Sequence, residues 1–212
     1  MTPALALLLK APRLGTVKTR LSATLGPVRA LAIYRALAER QLAALPPRWP
    51  VTIHFAPADA EAEMRTWLGP RTYQAQPAGD LGVRISAAIA EGFAQGAPAV
   101  IALGGDCPAL DAATLHRASL ALASPSQPAV LGPAFDGGYY LIGLRRACPA
   151  AFVGIDWGTP AVLEQTRERL RSAGVSWSEL PALRDVDDEA DWHAAVAAGQ
   201  LPTLASDSSH GE

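Results

Sequence analysis

The 212-residue chain has little charge, with 18% of residues Asp, Glu, Lys or Arg, and its formal net charge is only −2. A disordered chain needs more charge and less hydrophobicity than this. A nucleic-acid-binding domain carries a basic excess, which a pI of about 6.1 does not supply. Only two cysteines occur, Cys107 and Cys148. Neither stands in a CxxC or Cys/His ligand spacing, so the sequence offers no zinc site and no disulfide framework, and two reduced thiols are expected. His54, His116 and His193 show no metal-ligand spacing either. No apolar run approaches the ~20 residues of a spanning helix. The apolar start, Thr2–Leu9, has no basic segment before it and reads as a buried strand rather than a leader, so a cytoplasmic location is expected, with neither nucleic acid nor membrane as partner. There is no internal repeat and no GxxxxGK[ST] phosphate loop.

What is present is a hydrophobic half of the composition, enough for one sizeable core. Short apolar runs at 4–9, 51–55, 72–76, 99–103, 129–132, 139–144 and 176–179 read as strands. Between them, helical spacing or caps predict helices over 26–45, 58–68, 81–94, 111–122, 159–173 and 189–198. Asp80, Asp111 and Asp188 stand as N-caps, and Thr159-Pro160 as a helix start. Strands alternating with helices predict an α/β fold: a single-domain, Rossmann-like, mixed but mostly parallel sheet with helices on both faces, over residues 1–200. The polar residues 201–212 are expected to form a disordered tail. Ligands of such sheets sit outside the C-terminal strand ends, so the loops after strand one, after Leu103 and after Gly132 are expected to share one rim.

Four segments could carry chemistry, and the first three of them fall on that rim. Lys10–Leu21 gathers Lys10, Arg13, Lys18 and Arg20 in a loop with Pro12 and Gly15; cations there suit a di- or triphosphate, although a solvated basic loop has the same composition. Gly104-Gly105-Asp106 sets an acid just past a strand, either as a hard-cation ligand or as the cap of the next turn. Asp136-Gly137-Gly138 is ordinary hairpin chemistry. The alternation of Tyr139 and Tyr140 there lets only one ring enter the core, leaving the other at the rim beside Asp136. Arg184–Trp192 holds five acids, which form either a solvated run or the second half of a metal site begun by Asp106. A weaker patch, Gly79–Arg84, contributes Gly82 and Arg84 to a loop or to a helix start.

Together, Lys10-x-Pro-x-x-Gly-x-Val-Lys-Thr-Arg-Leu21, Gly-Gly-Asp-Cys-Pro108, Gly-Pro-Ala-Phe-Asp-Gly-Gly-Tyr-Tyr-Leu-Ile-Gly143 and Asp-Val-Asp-Asp-x-x-Asp-Trp192 resemble the DUF2064 family of bacterial proteins. That family is also labelled radical-SAM/selenodomain-associated transferase 1 and sits among the nucleotide-diphospho-sugar transferases of GT-A type fold. The motif set is similar, too, to the phospholactate guanylyltransferases and the molybdenum-cofactor nucleotidyltransferases. The resemblance spans about residues 4–195. It implies a nucleotide or nucleotide-sugar donor, a small-molecule acceptor and Mg²⁺ or Mn²⁺, in a monomer or homodimer. It implies that Lys18 and Arg20 face the donor phosphates and that Asp136 through Tyr139 lie near the acceptor; the binding candidates are Lys10, Pro12, Gly15, Lys18, Arg20, Gly82, Arg84, Gly105, Gly137, Gly138 and Tyr139. Catalytic roles fall on Asp136 and Lys18, and metal binding on Asp106, Asp185 and Asp187. Asp106 is followed by Cys107-Pro108 rather than completing a DxD pair, so its partner acid has to be remote. Three activities are consistent with these residues: sugar transfer from a nucleotide sugar, nucleotidyl transfer with release of pyrophosphate, and nucleotide binding without turnover.

Overall fold

The computed structural model describes residues 1–204. Its strands are β1 (Ala4–Lys10), β2 (Val51–Ala56), β3 (Thr72–Ala75), β4 (Val100–Leu103), β5 (Ala129–Pro133), β6 (Tyr139–Leu144) and β7 (Trp177–Glu179). They form one sheet in the order β3-β2-β1-β4-β6-β5-β7. Pairing is parallel except around β6, which runs antiparallel to both β4 and β5. The helices are α1 (Thr19–Ala44), α2 (Glu61–Leu68), α3 (Leu81–Ala94), α4 (Ala112–Ala123), α5 (Val162–Ser172) and α6 (Glu189–Ala197). The mixed, mostly parallel sheet between helical layers is the predicted architecture.

Both faces of the sheet are covered, which is why β1 is apolar at every position from Leu5 to Leu9. Leu5, Leu7 and Leu9 pack with Ala38 and Leu42 of α1, Met64 of α2 and Leu115 of α4. Ala6, Ala102 and Ile142 face the opposite way, toward Ile85 and Ile89 of α3 and Leu163 of α5. A third cluster joins α1 to α6 through Leu21, Ile33, Leu37 and Trp192. Leu201, at the start of the expected tail, is buried in this cluster. Residues 205–212 of that tail lie outside the described residues. No helix among the described residues is long and apolar enough to cross a membrane.

Asp80, Asp111 and Asp188 cap their helices as expected, accepting from the backbone N–H of Val83, Thr114 and Asp191. Three helix starts differ, one of them α2, which begins at Glu61 rather than at 58. α1 begins seven residues before Gly26 and breaks there, because Gly26 takes φ 77° and the following Pro27 restarts the helix. Thr159-Pro160 does not open α5, which begins at Val162. The Thr159 hydroxyl instead donates to Asp156 O at 2.8 Å, which closes a separate turn.

Gly82 shows how tightly this frame is set. A Cβ there would lie 2.5 Å from the carbonyl oxygen of Phe152 and 2.8 Å from Trp157 Nε1. Alanine gains up to about 1 kcal/mol of helix propensity. A backbone oxygen cannot yield cheaply, however, and overpacking costs about 1–3 kcal/mol. Gly82→Ala is therefore expected to lower the melting temperature by several degrees, as read by thermal denaturation; an unchanged or raised midpoint would show that the Trp157 turn is loosely seated.

Candidate functional site: a cleft at the C-terminal strand ends

A cleft of about 690 Å³ opens where the loops after β1, β4 and β5 meet. The three loops share one rim, as the rule for open α/β sheets requires. Of the residues expected from sequence, Lys10, Lys18, Arg20, Arg84, Gly105, Asp106, Asp136, Gly138, Tyr139, Asp185 and Asp187 all line it. Pro12, Gly15, Gly82 and Gly137 do not. Gly15 turns in open space with φ 75°. Gly82 packs on Trp157, and a Cβ on Gly137 would lie 2.2 Å from Pro160 O, so these two glycines seat the 157–160 turn instead. Arg13 also leaves the site: its guanidinium is held by Glu63 at 2.6 Å and Asp59 at 3.2 Å.

The segment 181–187 explains how acids eighty residues apart converge. Leu183 N–H donates to Pro133 O at 3.1 Å, and Phe135 N–H donates to Leu183 O at 3.2 Å, extending β5. Val186 N–H then donates to Asp106 O at 3.0 Å, and the Cys107 thiol to Arg184 O at 3.4 Å. These four bonds thread Asp185 and Asp187 between Asp136 and Asp106. Burial pushes the Cys107 thiol up to about 12, so it stays protonated and serves as a tether.

Two charge arrangements result. In the first, Lys18 Nζ lies 2.8 Å from Asp106 Oδ1 and 3.3 Å from Asp187 Oδ1. The Lys18 side chain is 7% exposed while the two carboxylates are 47% and 36% exposed. Burial works against the ammonium, but Asp106 and Asp187 outweigh it and its affinity for the proton is raised. Lys18 reaches this position through a left-handed backbone, φ 47°, which non-glycine residues rarely adopt. Arg20 adds a longer contact, 3.5 Å to the other oxygen of Asp187.

In the second, Asp136, Asp185 and Asp187 bring one carboxylate oxygen each within 4.8 Å of one another. Of the acids expected to bind a metal, Asp185 and Asp187 belong to this group; Asp106 does not, and Asp136 stands with them instead. Asp185 is pushed up to about 6 by burial and by Asp136 and Asp187. Burial is the larger cause, and the like charges of Asp136 and Asp187 add to it. Three oxygen donors under mutual repulsion suit a hard divalent cation.

Asp185 has a consequence for stability. A carboxyl whose folded value is raised loses stability as pH rises above its unfolded value of 3.8, and the full cost is present above about 6. Asp185→Asn is expected to stabilise the metal-free protein at pH 7.5 by on the order of 1–2 kcal/mol, with the gain vanishing near pH 4. Thermal melts across that range check it, and a gain that persists at pH 4 would contradict it.

Tyr140 is the buried ring of the tyrosine pair. It is 5% exposed, packs where a Gly132 Cβ would stand, and donates to Pro181 O at 3.1 Å. Both rings border the cleft, and the expectation that only one enters the core does not hold: Tyr139 packs against the opposite core cluster beside Trp157, centroids 6.4 Å apart, with its hydroxyl sealed from solvent. Sequence reasoning missed Tyr34, Gln76, Trp157 and Thr159, which also line the cleft. The Tyr34 hydroxyl donates to Lys10 O at 2.7 Å and accepts from Lys10 N–H at 2.8 Å, clamping the end of β1. In the sequence Tyr34 is one residue of the helix expected over 26–45. Gly158, with φ 81°, was a visible turn signal beside Trp157.

A family model described as uncharacterized protein conserved in bacteria (DUF2064) matches residues 40–159. The chain belongs to the DUF2064 family. A protein of Desulfovibrio desulfuricans G20 assigned to the nucleotide-diphospho-sugar transferases is 34% identical, with 92% of this chain and 87% of that chain covered and a TM-score of 0.86. This DUF2064 chain thus falls within the nucleotide-diphospho-sugar transferase superfamily. CMP:2-keto-3-deoxy-manno-octonic acid synthetase, in complex with CTP, shares 14% identity over 95% of this chain and all of that one, at a TM-score of 0.60. Glucosyl-3-phosphoglycerate synthase of Mycobacterium tuberculosis, in complex with Mn²⁺, UDP and glucosyl-3-phosphoglycerate, shares 9% identity, with 92% of this chain and 76% of that chain covered and a TM-score of 0.54. At such identities the likeness is one of fold alone. No curated protein matches the chain.

Proposed function

We propose that this DUF2064 protein is a metal-dependent transferase that moves a sugar from a nucleoside-diphosphate sugar to a small acceptor. The observation that carries the reading is the juxtaposition, in one cleft, of the buried Lys18 ammonium with the Asp136/Asp185/Asp187 carboxylates. The cations lining the cleft, Lys10, Lys18, Arg20 and Arg84, are equal in number to its carboxylates, Asp106, Asp136, Asp185 and Asp187. One divalent ion then leaves a surplus of about two positive charges, which matches the roughly two negative charges of a diphosphate diester. The assignment of the 34%-identical Desulfovibrio protein points the same way.

Lys18 and Arg20 would neutralise phosphate oxygens, with Lys18 already desolvated and so strong in its field. Mg²⁺ or Mn²⁺ held by Asp136, Asp185 and Asp187 would supply further charge stabilisation on the departing diphosphate. The acceptor hydroxyl oxygen attacks the anomeric carbon, the bond to the diphosphate oxygen breaks, and the hydroxyl proton leaves to a carboxylate. Asp136 is the exposed carboxylate of the trio and would serve as that base; its Oδ1 accepts from Gly138 N–H at 2.8 Å, which fixes its orientation. Its two roles, base and metal ligand, compete for the same lone pairs.

One observation favours nucleotidyl transfer as a second reading. Four cations, Lys10, Lys18, Arg20 and Arg84, line the cleft, and a triphosphate carries about four negative charges. A donor screen separates the two. The protein is incubated with nucleotide sugars and with nucleoside triphosphates, each with Mg²⁺ and a panel of small hydroxylated and phosphorylated acceptors. Release of nucleoside diphosphate from the sugars is expected. Pyrophosphate release alone contradicts sugar transfer. Metal-independent nucleotide binding with no product marks a binding module.

A further inference from the structure

The cleft has a feature that phosphate and metal chemistry leaves unused. Gln76 follows β3, and its side chain reaches under the ends of two neighbouring strands. Its Nε2 donates to His54 O at 2.6 Å and to Leu9 O at 3.1 Å. Its own backbone N–H donates to Phe55 O at 2.8 Å, so the residue is pinned at both ends. The amide has two hydrogens, and both are spent. Turning it over would set Oε1 against two carbonyl oxygens, so the orientation is fixed by its neighbours rather than by choice.

The other end of the amide is free. Among the described residues no donor reaches Gln76 Oε1, and this oxygen is not one of the side-chain atoms sealed from solvent without a partner. The residue lines the cleft beside Leu9 and Lys10. An immobilised, solvent-facing acceptor is therefore presented at the β1–β3 end of the cleft. The carboxylates of Asp136, Asp185 and Asp187 lie on the loops that follow β5 and β7, on the other side of β4.

We propose that Gln76 reads the base of the nucleotide, its Oε1 accepting a hydrogen bond from a ring or exocyclic N–H on the outer edge of the base. The assignment rests on the nucleotide-donor reading above and deepens it. A pinned acceptor discriminates more than a mobile one, because it cannot rotate to offer a donor instead, and a base edge without an N–H at that point meets an unpaired oxygen.

Calorimetry with Mg²⁺ tests the assignment. UDP, CDP, GDP, ADP and inorganic pyrophosphate are titrated into the full-length protein. The tightest of the four nucleotides is then compared with its analogue methylated at the N–H positions of that outer edge. The analogue is expected to bind about tenfold more weakly than its parent. In Gln76→Leu the parent falls to the level of the analogue, and pyrophosphate binds as in the wild type. Equal binding of parent and analogue by the wild-type protein overturns the assignment, and does so whether or not the variant folds. Loss of nucleotide and pyrophosphate alike in a folded Gln76→Leu would make Gln76 a structural strut. If the wild-type protein binds no nucleotide and no pyrophosphate, the donor reading fails as a whole.

Discussion

Asp187→Asn is expected to weaken metal-dependent nucleotide binding by about 100-fold, more than any other single carboxylate substitution in the cleft. Asp187 alone belongs to both charge arrangements. It contacts Lys18 at 3.3 Å, and it completes the carboxylate trio with Asp136 and Asp185. An amide retains the shape but brings a nitrogen that cannot ligate and donates where an acceptor is needed. Asp106→Asn is expected to be milder, since Asp106 lies outside the trio and its amide oxygen can still face Lys18. Calorimetry of a nucleoside diphosphate with and without Mn²⁺ ranks the two variants. A larger loss in Asp106→Asn would restore Asp106 as the principal metal ligand.

Lys18→Met is expected to lower turnover by about 100- to 1000-fold while lowering stability by about 1 kcal/mol or less. The two effects separate because the lysine is buried and its partners are not. At 47% and 36% exposure, Asp106 and Asp187 can recover solvation once the ammonium is gone. Methionine fills most of the same space and keeps the left-handed backbone strain, so little packing is lost. A donor phosphate, however, would lose a preorganised and desolvated positive charge. Turnover is read in the donor screen and stability by thermal melting. A melting temperature that collapses, or turnover within about threefold of wild type, would contradict this role.

The fold was largely legible because its signals are local. Leu5 to Leu9 is apolar at every position, so both faces had to be buried, and Asp80, Asp111 and Asp188 announced three helix starts that the structure keeps. The rim followed from topology: given parallel strands, the loops carrying Lys10, Asp106 and Asp136 had to gather. What stayed hidden depends on contacts distant in sequence. Glu63 and Asp59 draw Arg13 away, and no reading of the basic loop alone reveals them. Lys18 facing Asp106, and Asp136 in its place within the trio, depend on the 181–187 segment being stitched to Pro133, Asp106 and Phe135. Gln76 was invisible for a similar reason: an isolated glutamine after a short strand has no pattern, and its meaning comes from the carbonyls of Leu9 and His54.

A divalent ion held by Asp136, Asp185 and Asp187 is proposed to couple a nucleotide donor to this cleft. Mn²⁺ binding followed by electron paramagnetic resonance, with and without UDP, on the wild-type protein and on Asp187→Asn, tests it most directly. One Mn²⁺ is expected to bind per chain with an affinity that rises when UDP is added, and both the ion and the enhancement are expected to be lost in Asp187→Asn. Mn²⁺ binding that is indifferent to UDP, or that survives in Asp187→Asn, would contradict it.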